Sequence, residues 1–387
     1  MDLIYADYAA TTPTDPRVLE AMLPYFSDTF YNAASGHNGG LTAQRAVMKA
    51  RMDIARHVGG VMNEIVFTSG STEGINLAII GAARAALAEG GSGRRRIVTM
   101  KTEHPAVRDA AEYCTRFGCE VVYLPVDSQG RVDIESARSA IDDNTALVSV
   151  MIVNNETGVV QDLKPVAEIA HQCGALFMTD ATQAYGKIRL DVDEMGIDIL
   201  TISGHKIYGP KGVGALYVRA RKKFLCPIEP MMYGGGQEYG FRSGTLNVPG
   251  IVGLACAGEI AYASVAEESR RINALRENFE REVCELHGTI INGSGACRNY
   301  NISNVMFTGV AVDALMREMP SVACSKGSAC STSKSAASSV LLAMGRSEQE
   351  ANSSLRFSFG RTTTEHDVVR LLQELKRAHA IHFTSLT

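Results

Sequence analysis

The sequence predicts an α/β protein with a large domain on a mainly parallel sheet and a smaller α+β domain after it. Three observations lead there. Short apolar runs alternate with stretches of helical period between residues 64 and 206, as in strands joined by crossover helices. The unusual residues stand at the ends of those runs, where open parallel sheets bind ligands. From about residue 261 the texture changes to a charged helical stretch and then to short strands.

The elements follow in order. "EIVFTSG" reads as a strand and "TEGINLAIIGAARAALAEG" as the helix after it; "RRIVTMKTEH" and "AVRDAAEYCTRFG" repeat the pair. "EVVYLPV" with "IESARSAID", then "TALVSVMIVNNETG" with "LKPVAEIAHQCG", continue the alternation, and "ALFMTDATQA" and "DILTISGHK" close it. Beyond them come the helix "AEESRRINALRENFEREVCELHG" and the strands "NVMFTGV" and "SLRFSFGR". A chain of 387 residues is too long for one ordinary core, which stops growing near about 250–300 residues. We therefore expect an N-terminal segment, 1–15, packing with the small domain, a large domain over 16–260 and a small one over 261–387. The Ser/Ala/Gly-rich stretch "CSKGSACSTSKSAASS", 324–339, reads as a mobile loop.

Composition excludes several classes. Charged residues make up 21% and hydrophobic ones 45%, and the formal net charge of −4 offers no basic field for direct nucleic-acid binding. "MDLIYADYAATTP" does not read as a signal peptide, and no run of about 18 consecutive apolar residues implies a membrane span, so a cytoplasmic protein is expected. Nine cysteines stand singly with no CxxC, which suggests reduced thiols, most of them small buried apolar residues.

Three motifs at strand ends carry chemistry. "TSGSTEG", 68–74, opens a helix, so its N–H groups and the hydroxyls of Ser71 and Thr72 suit an anion such as a phosphate; a plain helix cap is the alternative. Asp180 ends an apolar strand, where a carboxylate is costly unless it meets a cation or caps the next turn. Lys206 in "SGHK" is either a solvated charge or an amine nucleophile able to form a Schiff base. Together they are the parts that pyridoxal 5'-phosphate requires.

From "YADYAATTP" to "SSLRFSFGRTTTEHDV" the chain resembles the cysteine desulfurases, NifS/IscS-like enzymes of the class V aminotransferase family. The resemblance implies the pyridoxal-phosphate-dependent transferase fold type I, with a seven-stranded sheet. It implies that Lys206 holds the cofactor, Asp180 pairs with its ring nitrogen and His104 in "TEHP" lies over the ring. Asn155 in "NNETG" and Gln183 in "TDATQA" stand near the substrate and the ring hydroxyl. Ser71, Thr72, Ser203 and His205 bind the phosphate, and Thr245 in "GGGQEYGFRSGTLN" reaches the phosphate of a partner in a homodimer.

The same resemblance makes Cys330 in "SKGSACSTS" the catalytic cysteine and Arg356 the ligand of the substrate carboxylate, with a structural salt bridge as the plainer use of that arginine. A thiolate is the reactive form, so a cation or base is expected nearby, with Lys326 and His104 as candidates. Cys324 reads as a buried strand-end thiol, a disulfide with Cys330 remaining open. The chain departs from the family at Gln237, where the usual residue is His, and at "NAASGHNGG", 32–40. The implied reaction converts L-cysteine to L-alanine and leaves a persulfide on Cys330, which passes to a sulfur-acceptor protein for iron-sulfur assembly or for thiolation of tRNA or DNA. The rivals are another class V enzyme, a selenocysteine lyase or aminotransferase, and a non-catalytic sulfur-relay scaffold. No metal site is expected.

Overall fold

The computed structural model describes residues 3–221, 224–327 and 337–383. Seven strands form the main sheet, in the order Ile65–Thr68, Gly214–Val218, Ile199–Ser203, Leu176–Asp180, Thr145–Ser149, Arg96–Met100 and Glu120–Leu124. Gly214–Val218 runs antiparallel to both its neighbours, and the remaining pairs are parallel. Ile65–Thr68, Thr145–Ser149, Ile199–Ser203 and Gly214–Val218 are buried at every position. They read as near-continuous apolar runs because helices cover both faces of the sheet.

The residues of each strand divide between two cores. Met178 and Ile199 pack with Ile75, Ile79, Val107 and Ala111 of the helices Ser71–Leu87 and Pro105–Cys114. Phe177 and Leu200, each one residue away, face the other side and pack with Ile54, Val166 and Leu254. That side is covered by the helices Asn38–Val58, Lys164–Gln172 and the first part of Val248–Val283.

Val248–Val283 is 36 residues long and joins two parts of the molecule. Its Val248, Ile251 and Leu254 belong to the main core, and its Ile272, Leu275, Phe279 and Val283 to a second one. The second core lies under the antiparallel sheet Thr289–Ile291, Ile302–Phe307, Ser354–Ser358 and includes Leu371 and Leu375 of the helix Glu365–Phe383. The change of texture near residue 261 therefore falls inside one continuous helix, where its neighbours change and the backbone does not break. One 18-residue window of this helix is apolar enough to cross a membrane by length and composition, and half of that window is buried inside the fold.

The N-terminal segment ties the second core to the main sheet. Ile4–Tyr5 pairs in parallel with Val322–Ala323, and Asp7 bridges to Ser358. A few residues on, Thr12 N–H donates to the His205 carbonyl at 2.9 Å, and Asp15 N–H donates to the Tyr208 carbonyl at 2.9 Å. Residues 4–15 thus lie across the carboxyl edge of the sheet.

Phe279 is fully buried, with its ring 4.9 Å from that of Phe357 and 5.4 Å from that of Phe359. Phe279→Ala is expected to cost about 3–5 kcal/mol in denaturant unfolding, because the cavity it opens lies between two rigid elements.

Candidate active site

A cleft of about 620 Å³ opens where the parallel strands end, lined by Ser71, Thr72, His104, Asn155, Asp180, Gln183, His205, Lys206 and Arg356 among others. Residues from five strand ends and from one strand of the second sheet meet there.

One end is built for an anion. Ser71 begins a helix of 17 residues, and Gly70 before it has φ 155°, a conformation that L side chains rarely adopt. The turn therefore presents its N–H groups and hydroxyls at the positive end of the helix. Ser203 is buried next to it, its Oγ 3.8 Å from where a Cβ on Gly70 would stand, and it does not line the cleft. His205 Nδ1 lies 3.0 Å from Thr11 Oγ1. Burial, then the charges of Lys206, Lys211 and Lys187, push the His205 imidazole down to about 4, so it is neutral at physiological pH.

The other end is acidic. Asp180 is 5% exposed, and its Oδ1 accepts from Thr182 N–H at 2.9 Å and from the Thr201 hydroxyl at 3.4 Å. Glu103 lies buried close by and accepts from Met151 N–H; burial, then the Asp180 carboxylate, push its carboxyl well above the ordinary range. The neutral form of Glu103 is thus favoured at this end of the cleft. Thr182 also lines the cleft, and its buried Oγ1 has no partner among the described residues.

His104 caps the helix Pro105–Cys114, its Nδ1 accepting from Ala106 N–H at 3.1 Å. That bond places the proton of the neutral ring on Nε2. Burial, partly offset by Asp180, holds its imidazole below the usual histidine range.

Lys206 follows the strand Ile199–Ser203, and its Nζ donates to the carbonyls of Ala9 at 2.8 Å and Ala10 at 2.6 Å. Gln183 Nε2 donates to the same Ala9 carbonyl at 2.8 Å. Two residues beyond Lys206, Tyr208 has φ 66°, and its N–H donates to Thr12 Oγ1 at 2.7 Å. An uncommon backbone conformation next to the lysine is thus held by the N-terminal segment.

Arg356 is 1% exposed. Its NH2 group pairs with Asp7 at 2.7 Å and its NH1 group donates to the Asn155 carbonyl at 2.8 Å, while its Nε has no partner among the described residues. The plainer use of this arginine, a structural ion pair, therefore exists alongside its place in the cleft. Its remaining N–H donors are available to a carboxylate.

The expected catalytic Cys330 and most of the stretch 324–339 fall on residues 328–336, outside the described residues. The described chain on either side meets one residue. Ser338 Oγ bonds Glu156 Oε2 at 2.5 Å, and a Cβ on Gly327 would stand 3.0 Å from that same oxygen. Lys326 pairs with Asp313. Cys324 is buried, and burial pushes its thiol up to about 12, the state of an inert thiol. Among the described residues no cluster of metal-ligating side chains occurs. Thr245 is exposed outside the cleft, and Gln237 Oε1 accepts from Gly244 N–H at 2.8 Å within its own segment.

Sequence reasoning missed Asp7, Glu103, Lys187 and the carbonyls of Ala9 and Ala10. Backbone carbonyls leave no trace in residue identity, whereas the acid next to His104 was a readable signal. Overall, the cleft offers an anion cradle, a carboxylate at the opposite end and an amine between them. Pyridoxal 5'-phosphate fits that donor set, with its phosphate, its ring nitrogen and an aldehyde for the lysine.

Comparison with known proteins agrees. Residues 4–371 match the family model described as Aminotransferase class-V. A protein named Cysteine desulfurase IscS from Anaeromyxobacter sp. (strain Fw109-5) is 48% identical over 97% of this chain and 92% of its own length. A solved NifS-like protein superposes with a TM-score of 0.90 at 34% identity, covering 98% of this chain and 100% of the other. A structure of SspA in complex with cysteine gives a TM-score of 0.81 at 36% identity over 92% of this chain and 98% of the other.

The His205 ring yields a pH prediction. Its folded pKa lies below the ordinary histidine value of 6.5, so the unfolded chain binds the extra proton and stability falls as pH drops from about 6.5 to about 4. His205→Gln is expected to lessen that loss in urea unfolding of the cofactor-free protein. An unchanged pH dependence would contradict the neutral assignment.

With a family model spanning nearly its whole length and desulfurase relatives of matching size, the chain belongs to the class V aminotransferase family, among the pyridoxal-phosphate-dependent cysteine desulfurases.

Proposed function

We propose that this chain takes sulfur from L-cysteine with Lys206, Asp180, His104, Arg356 and Cys330 in the working roles. The observation that carries the reading is the meeting of an anion cradle, a buried carboxylate, a lysine and an arginine in one cleft. The two described flanks of the cysteine segment meet Glu156, the neighbour of Asn155 in that cleft.

Pyridoxal phosphate, when bound, supplies an electron sink that stabilises negative charge on the substrate α-carbon. The protein's residues do the rest. Ser71, Thr72 and His205, with Ser203 buried behind the turn, would hold the phosphate end, and Asp180 would hold the proton on the ring nitrogen. Glu103, being neutral, does not compete for that proton. Gln183 would donate to the ring oxygen, and His104 would cover the ring, its Nδ1 being engaged by the Ala106 N–H. Lys206 anchors the cofactor and, once freed by the incoming amino acid, takes the proton from the α-carbon. Arg356 takes the substrate carboxylate with the donors that Asp7 and Asn155 leave, and Asn155 lines the substrate side.

Cys330 as thiolate attacks the substrate sulfur. The carbon–sulfur bond breaks, its electron pair stays with carbon and is protonated to give alanine, and the sulfur remains on Cys330 as a persulfide. A sulfur-acceptor protein then takes it. The SspA structure, solved with cysteine, supports cysteine as the substrate class.

A homodimer completes this reading, with Thr245 of each copy serving the other's phosphate. Exposed Leu23, Phe26, Phe30 and Tyr233 support an apolar contact of that kind. A cytoplasmic location belongs to the same proposal.

Intact-protein mass spectrometry after brief exposure of the holoenzyme to L-cysteine is expected to show one added sulfur on the wild type and none on Cys330→Ser, with alanine as product. An oxo acid in place of alanine would point to transamination. Arg356→Lys keeps the charge near Asp7 but loses the planar fork, and is expected to raise KM for cysteine on the order of tenfold with less effect on kcat.

A further inference from the structure

Lys187 has no role in the proposed reaction and does not line the cleft, yet it is bonded to a residue that does. It is 8% exposed, and lysines are almost never buried that far without a partner. Its Nζ donates to Gln183 Oε1 at 2.9 Å. Gln183 in turn donates through Nε2 to the Ala9 carbonyl, which also accepts from Lys206. One chain of hydrogen bonds therefore runs from Lys187 through Gln183 and Ala9 to Lys206.

The contact decides which way round the Gln183 amide lies. An amide fills the same volume in either orientation, but only its oxygen accepts and only its nitrogen donates. With Lys187 donating to Oε1, reversal would lose that bond, set the Gln183 NH2 against another donor whenever the amine is protonated, and leave the Ala9 carbonyl facing an oxygen. Buried mismatches of this kind are costly. Nε2 is thereby left on the Ala9 side of the amide, in a residue that lines the cleft.

A lysine is an expensive way to fill this space. Burial, then the Lys206 charge, push its amine down to about 7, and an apolar side chain of similar length would carry no such penalty. On its other side Lys187 lines a second cavity, shared with Lys206 and with Asn301, whose buried Oδ1 has no partner among the described residues.

We propose that Lys187 is a positioning residue: it fixes the Gln183 amide with Nε2 as the donor, the orientation needed to bind the ring oxygen of pyridoxal phosphate. The inference rests on the reading of Gln183 as the ligand of that oxygen. Lys187 does not line the cleft; its charge bears on Lys206 and His205, and its hydrogen bond acts through Gln183.

The test compares Lys187→Met, Gln183→Ala and the double variant. The readouts are the visible absorption band of the holoenzyme, the pyridoxal phosphate dissociation constant on reconstitution, and the melting temperature without cofactor. Lys187→Met is expected to melt at or above the wild-type temperature, since it removes a buried amine. It is nevertheless expected to bind cofactor about tenfold more weakly, the worth of roughly one hydrogen bond, and to shift the band in the direction of Gln183→Ala. The double variant is expected to bind no worse than Gln183→Ala, because the two act as one unit.

Wild-type band and affinity in Lys187→Met, beside altered values in Gln183→Ala, would overturn the inference and leave the reading of Gln183 standing. Multiplicative losses in the double variant would also overturn it. Wild-type values in Gln183→Ala would instead remove the reading on which it rests. Lys187→Gln, which keeps a donor, is expected within about twofold of the wild-type constant, and a tenfold loss in that variant contradicts the orientation role even if Lys187→Met fails to fold.

Discussion

An ammonium at the edge of a buried sheet is the constraint around which this molecule is arranged. Lys206 ends up beside apolar strands, and its donors are satisfied by the carbonyls of Ala9 and Ala10. Those carbonyls belong to a segment that begins in the second core, paired with Val322–Ala323, and passes the end of Ser354–Ser358 at Asp7. Satisfying one lysine therefore fixes the path of residues 4–15. The same path puts Asp7 on Arg356 and Thr12 on the Tyr208 N–H. The lysine, the arginine and the uncommon backbone at Tyr208 are held by one strap. Removing it would leave several buried polar groups unpaired together, a far larger penalty than the loss of any one contact.

Burial then sorts the charges of the site. Glu103 is pushed toward its neutral form, the imidazoles of His104 and His205 are held below the usual histidine range, and the Lys187 amine is pushed down to about 7. A cleft with so many ionisable groups thus carries few full charges of its own, and those few sit where a ligand with an anionic end and a cationic ring needs them. The helix at Ser71 adds a fixed positive end that needs no proton. In the proposed function this division would let one small region bind a phosphate, hold a protonated ring and keep an amine ready as a base.

Much of this was legible in the sequence, for physical reasons. Parallel strands with both faces covered read as apolar runs, and a polar residue closing such a run is conspicuous, so Asp180 and Lys206 stood out and the α/β class followed. Val248–Val283 was legible only as a change of texture near 261, because a helix that changes neighbours changes its surface pattern without a break in the chain. The carbonyls of Ala9 and Ala10 could not be read, since any residue supplies a carbonyl. Lys187 in "YGKIRLD" looks like any surface lysine, because its burial is decided by residues distant in the chain, Ala261 and Tyr300 among those lining the cavity beside it. Asp7 was passed over for the same reason, as its partner lies 349 positions away.

Lys206 is the proposed holder of the cofactor, and a more deeply buried lysine, Lys187, lies close enough to make the assignment a real choice. Borohydride reduction of the holoenzyme, followed by proteolysis and peptide mass spectrometry, decides it directly. If Lys206 holds the cofactor, the pyridoxyl group is fixed on the peptide containing Lys206 and nowhere else. The same group on Lys187, or on no lysine of the cleft, would contradict it.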